Sequence, residues 1–183
     1  MSIQLDIPRK LKWTLVLLLL QGLFGLSFST LSAQAEAGDL ACFVNFQFNF
    51  DPPLTAINST GSTVATAGFV GCTSPNGQHA DLGSATVETT AATVTSSSGP
   101  CNLLITIVGT GRVDWNTGAT SRFSFTVNTN PLNGAITLSA TINSGELKGD
   151  SINAVPVIAH PNLDCALNGL RALTAELGLI AIG

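Results

Sequence analysis

Beyond residue 35 the chain holds four cysteines, two histidines and ten carboxylates, so any chemistry must be built from these and its hydroxyl side chains. Cys42, Cys72, Cys101 and Cys165 form no C-x-x-C, and the closest two, Cys72 and Cys101, stand 29 residues apart by subtraction. That spacing suits disulfides and not a zinc or cluster site. His79 follows Gln78 in a polar segment and His160 precedes Pro161, and two imidazoles are too few for a typical zinc or copper enzyme site. No metal or other cofactor is therefore expected. A Ser-His-Asp triad assembles from distant residues, and His160 with Asp164 would supply two of its members, but no G-x-S-x-G elbow presents a nucleophile. Glycoside hydrolysis needs two facing carboxylates, and nothing in the pattern pairs Glu88, Glu146 or Glu176. Tyrosine is absent, and Trp115 falls on the inward parity of its strand, as a core residue would. Asp114 and Arg122 share an outward strand face where they could meet across or diagonally, but an exposed ion pair is worth only about 0–1 kcal/mol, and the pair is read as a solvated strand face and not as a site. No catalytic residue is assigned.

The N-terminus explains where the cysteines would be oxidised. Arg9, Lys10 and Lys12 precede an uncharged run from Trp13 to Phe28, and Ala33-Gln34-Ala35 and Ala35-Glu36-Ala37 follow. This is the order of a secretory signal peptide. The run is 16 residues long by subtraction, short of the ~20 that a spanning helix uses. Residues 1–37 are read as the signal and residues 38–183 as one secreted domain. The alternative is an uncleaved N-terminal membrane anchor. From Glu36 onward, ten carboxylates against Arg112, Arg122, Lys148 and Arg171 leave a net charge of −6. Four scattered cations make no track for phosphates, which argues against a nucleic-acid partner. No stable membrane insertion of the mature domain is expected.

The elements that must position these residues are strands. In residues 42–50, Cys42, Val44, Phe46, Phe48 and Phe50 take one face and Asn45, Gln47 and Asn49 the other. Asp51-Pro52-Pro53 should stop that strand, because proline cannot donate to a ladder. Weaker alternation over 63–72 and 84–95 predicts two more strands. Leu103, Ile105, Ile107, Val113 and Trp115 share one parity, and Asn116-Thr117-Gly118 marks a turn. Ser121, Phe123, Phe125 and Val127 return, and Ile136, Leu138, Ala140 and Ile142 follow. A weaker strand is expected over 146–158. The tail 170–182 reads as a final strand, with a helix as the alternative. Seven or eight short strands with frequent turns predict an all-β fold, a single antiparallel β-sandwich.

Simple reversals rank the three possible cysteine pairings. Cys42 opens the first strand and Cys72 closes the second, at one end of the domain. Cys101 opens the fourth strand from the other end, and Cys165 follows a strand that returns there. The expected bridges are Cys42–Cys72 and Cys101–Cys165.

Four stretches carry a resemblance: Phe48-Asn49-Phe50-Asp51-Pro52-Pro53-Leu54-Thr55, Gly71-Cys72-Thr73, the run from Gly109 to Ser121, and Asp164-Cys165 with Gly169-Leu170. With these the chain resembles a group of small secreted actinobacterial proteins, each a signal peptide plus one cysteine-bearing β-sandwich. The resemblance implies fold and location and transfers no functional residue. The expected function is that of a secreted, non-catalytic domain binding an extracellular protein or cell-wall component. The alternative is a secreted hydrolase with a dispersed active site.

Overall fold

The computed structural model of the chain describes residues 38–98, 101, 104–129, 135–154 and 157–183; the apolar N-terminal run and its A-x-A sites lie outside them. Strands dominate: β1 (Leu40–Leu54), β2 (Thr60–Thr73), β3 (Ala85–Ser98), β4 (Leu104–Trp115), β5 (Thr120–Thr129), β6 (Ala135–Gly145), β7 (Ser151–Ala154), β8 (Val157–Ile158), β9 (His160–Pro161) and β10 (Leu170–Ile182). One helical turn, α1 (Cys165–Asn168), precedes β10. Every pairing is antiparallel, and β1 to β7 follow one another around the sheet in chain order.

The sheet then closes. β10 pairs with β7 on one side and with β1 on the other, in a register that runs from Leu40↔Ile182 to Leu54↔Leu170. Eight strands therefore form an antiparallel barrel, with β8 and β9 added beside β6 and β10. This corrects the sandwich expected from the sequence: one sheet curls onto itself where two were expected to face each other. Closure also removes the unpaired edges that an open sheet must protect. The tail 170–182 is the strand that closes the ring.

Alternation sets the two surfaces of the wall. Along β1 the even positions from Cys42 to Phe50 are buried and the odd positions from Phe43 to Asn49 exposed. β1 runs on through Asp51-Pro52-Pro53 to Leu54, past the expected stop. The prolines are accommodated because the register against β10 slips between Asn49 and Leu54, so no donor is demanded of them. Residues 146–150, expected in a strand, form a turn, in which Leu147 adopts a left-handed φ of 61°.

Both expected disulfides are present. Cys42–Cys72 joins β1 to β2 near one end of the barrel, and Cys101–Cys165 ties the chain before β4 to α1 at the other. They mark a protein that acquires its bonds in an oxidising environment. Among the described residues no helix is long and apolar enough to cross a membrane.

Candidate functional site

The inward faces of β1, β2 and β5 bring Phe46, Phe48, Phe69, Phe123 and Phe125 into the barrel. Space for them comes from β4. Its inward positions between Ile107 and Val113 are Gly109 and Gly111, whose register partners are Phe125 and Phe123. A Cβ on Gly111 would lie 2.7 Å from Cε1 of Phe123, so the ring occupies the place of the missing side chain. Phe46–Phe48 and Phe123–Phe125 then meet with ring centroids 5.5 and 5.7 Å apart.

Ala65, Ala67 and Ala140 are the strand neighbours of Phe48, Phe46 and Phe125, and they are too small to fill the space beside the rings. A cavity of about 60 Å³ remains, lined by the phenylalanines, these alanines, aliphatic side chains and Thr89. The Thr89 hydroxyl already accepts a 2.9 Å hydrogen bond from the Ala65 amide. A trapped water needs two to four polar partners, so a void of this kind stays dry and suits an apolar guest. The vacancy is local. Phe46 and Val87 keep 8 % of their surface accessible, whereas Val94, Ile107, Leu173 and Ile182 keep none.

Above the cavity, at the Cys42–Cys72 end, Trp115 stacks obliquely on Phe69 at 6.1 Å. Its Nε1–H donates to Ser121 Oγ at 2.9 Å, and Ser121 Oγ–H donates to the Glu146 carbonyl at 2.6 Å. Over Trp115 come two loops, 74–84 and 146–150, each sending one leucine into the core: Leu82 and Leu147. The foot of the longer loop is pinned by Asn116, whose Oδ1 accepts from the amides of Gly83 and Ser84 and whose Nδ2 donates to the Asp81 carbonyl.

The titratable groups gather here. His79 Nδ1 lies 3.4 Å from Glu146 Oε1, and Asn76 Nδ2 donates to Asp39 Oδ1. Burial first, then Asp39, pushes the Asp150 pKa above its ordinary value, with His79 pulling the other way.

The other residues singled out in the sequence stay apart. His160 is exposed, and its carbonyl accepts from Thr174 Oγ1. The Asp164 carboxylate takes the side-chain amides of Asn162 and Asn168 at 2.7 and 2.6 Å. These bonds, that of Asn162 foremost, lower its pKa. It is therefore engaged within its own turn and makes no bond to His160. Glu88 stands opposite Arg112 on the outer wall, and Glu176 shares an open surface groove with His160. Asp114 pairs with Arg112, two residues back on the same strand, through bonds of 3.0 and 2.7 Å, and not with Arg122. Arg122 lies directly across from Arg112, which already holds that carboxylate. Among the described residues, no three His, Cys, Asp or Glu side chains gather as a metal site.

Sequence reasoning missed two features of this end. Gly109 and Gly111 were visible as gaps in the apolar parity of β4. The His79–Glu146 contact joins two loops 67 residues apart by subtraction, and no motif announces it.

No known protein family, characterised protein or solved structure matches the chain. The resemblance to small secreted actinobacterial proteins gains no support from these comparisons.

Proposed function

We propose that the chain is an exported, non-catalytic binding protein that takes a small apolar molecule into its barrel, from the extracellular medium or the cell wall. The observation that carries this reading is the dry cavity of about 60 Å³ among Phe46, Phe48, Phe123 and Phe125. An eight-stranded barrel is just wide enough either to be filled by its own side chains or to hold one small ligand. This one is filled at both ends, where Leu54 and Leu173 on one side and Leu40 and Ile182 on the other are shut from solvent, and under-filled between them. The signal-like N-terminus and the two disulfides support export. The wall also supports a domain that works in water, since it turns mainly Asn, Gln, Thr and Ser outward and its phenylalanines other than Phe43 inward, the reverse of a membrane-spanning barrel.

Xenon tests the reading, because it probes apolar voids without hydrogen bonding. The protein should shift the ¹²⁹Xe resonance saturably, and the cavity-filling variant Ala140→Val should not. No saturable shift in the wild type, or an equal shift in the variant, would overturn it. A cavity of this size admits a guest smaller than benzene, which fits a void of about 150 Å³. Anything larger needs the phenylalanine rings to turn.

A further inference from the structure

We infer that the ligand enters at the Cys42–Cys72 end, through a lid formed by residues 74–80 and latched at its tip by two side-chain contacts. This inference rests on the cavity reading above.

Strand side chains are shut from solvent at both ends of the barrel: Leu54, Val94, Ile107, Leu170 and Leu173 at the Cys101–Cys165 end, and Leu40, Ile180 and Ile182 at the other. At the Cys42–Cys72 end two described loops add Leu82 and Leu147 to the core. Loop closure can be undone without breaking a strand ladder.

The loop 74–84 has a fixed foot and a lightly held tip. Its foot carries the Asn116 bonds and the Cys72 amide bond to the Gly83 carbonyl. Its tip reaches the rest of the barrel end through Asn76 on Asp39 and His79 on Glu146. The remaining tip bonds are internal: Ser74 Oγ–H donates to Asn76 Oδ1, and Ser74 Oγ accepts from the His79 amide. Such a loop can swing as a unit. Glu146, the second anchor, is bonded through Ser121 to Trp115, the side chain that roofs the cavity by way of Phe69. Latch and roof are thus parts of one chain of contacts. Leu147, next to Glu146, is held at a φ of 61°, a conformation that a leucine adopts only where its surroundings impose it.

Hydrogen exchange on the ligand-free protein tests the lid, so its result is independent of whether xenon binds. The latch is cut with His79→Gln together with Asp39→Ala, because Asn76 Oδ1 also accepts from Ser74 and Gln78 inside the loop. Each contact holds an exposed loop and is worth up to about a fivefold change in the closed-to-open ratio, so both together are worth up to ~25-fold. Exchange at the Trp115 indole N–H and at the Leu82 amide should accelerate by that order. The buried Ile105 amide, bonded to Thr129 Oγ1 at the opposite end, should not change. Equal acceleration at Ile105 would mean general destabilisation, and no acceleration would mean that the contacts hold nothing. Acceleration at Leu82 alone would mean that the loop lifts without uncovering the barrel. Each of these three results overturns the proposal.

Discussion

Filling the cavity should make the protein more stable, whereas the same kind of enlargement elsewhere in the barrel should make it less so. Ala140 points inward between its register partners Phe125 and Ile152 and lines the void. Ala140→Val places two carbons in that space. At about 24 cal/mol per Å³, eliminating 60 Å³ is worth at most about 1.4 kcal/mol. Burying two carbons at ~0.8 kcal/mol each gives about the same. For a domain of this size, that corresponds to a melting temperature higher by about 3–6 °C. Val94 is the contrasting position, fully shut from solvent and outside the cavity lining. Val94→Leu adds one carbon where no space exists and should cost about 1–3 kcal/mol. Thermal unfolding followed by circular dichroism measures both variants against the wild type. If Ala140→Val lowers the melting temperature as much as Val94→Leu does, the interior is packed throughout, and the binding proposal loses its foundation.

Gly111→Ala should destabilise by about 1–3 kcal/mol because its Cβ meets the Phe123 ring and the Glu88 carbonyl, and adding Phe123→Leu should recover only the ring's share of the loss in a denaturant titration. On the chain-entropy model the Cys101–Cys165 bridge, with a separation of 64 residues against 30, should be worth about 0.7 kcal/mol more than Cys42–Cys72. Chemical denaturation of the two double-alanine variants compares them, and a reversed order would refute the estimate. Asp150 has a raised pKa in the folded state, so its contribution is fully present below the ordinary 3.8 and is lost as pH rises through the folded value. Asp150→Asn should therefore raise the melting temperature at pH 7 relative to the wild type and lose that advantage in acid; a pH-independent difference between the two would contradict this. Asp164 has the opposite sign: its pKa is lowered, so its contribution fades only as pH falls below 3.8.

The sequence carries the alternation and not the closure. Period-two patterning placed Cys42 to Phe50, Ile105 to Trp115 and Phe123 to Val127 on their inward faces, because a side chain in a strand can point only two ways. The bridges were legible for the same reason: once strands reverse in order, each cysteine has an end. Whether the sheet folds over itself as a sandwich or closes as a barrel depends on β1 meeting β10, with partners more than a hundred residues apart. Both architectures show water one face and the core the other, so the alternation is the same in each.

The cavity was hidden at a finer level still. Ala65, Ala67 and Ala140 occupy inward positions in the same way as Val94, Ile107 and Leu173, and the pattern counts all six as apolar. What separates a filled cross-section from a hollow one is which small side chains face which large ones across the ring, and that is set by register and closure together. Gly109 and Gly111 show both halves of this. As a sequence they are two gaps in a parity. In the closed barrel Gly109 lets Ala92 of the neighbouring strand come close, Gly111 lets Phe123 lean over β4, and the void opens where three alanines lie beside Phe46, Phe48 and Phe125. The same closure sets the roof, since loops 74–84 and 146–150 come together only because β2, β3, β6 and β7 end on one rim. A site of this kind belongs to the ring as a whole, and single residues or short motifs do not announce it.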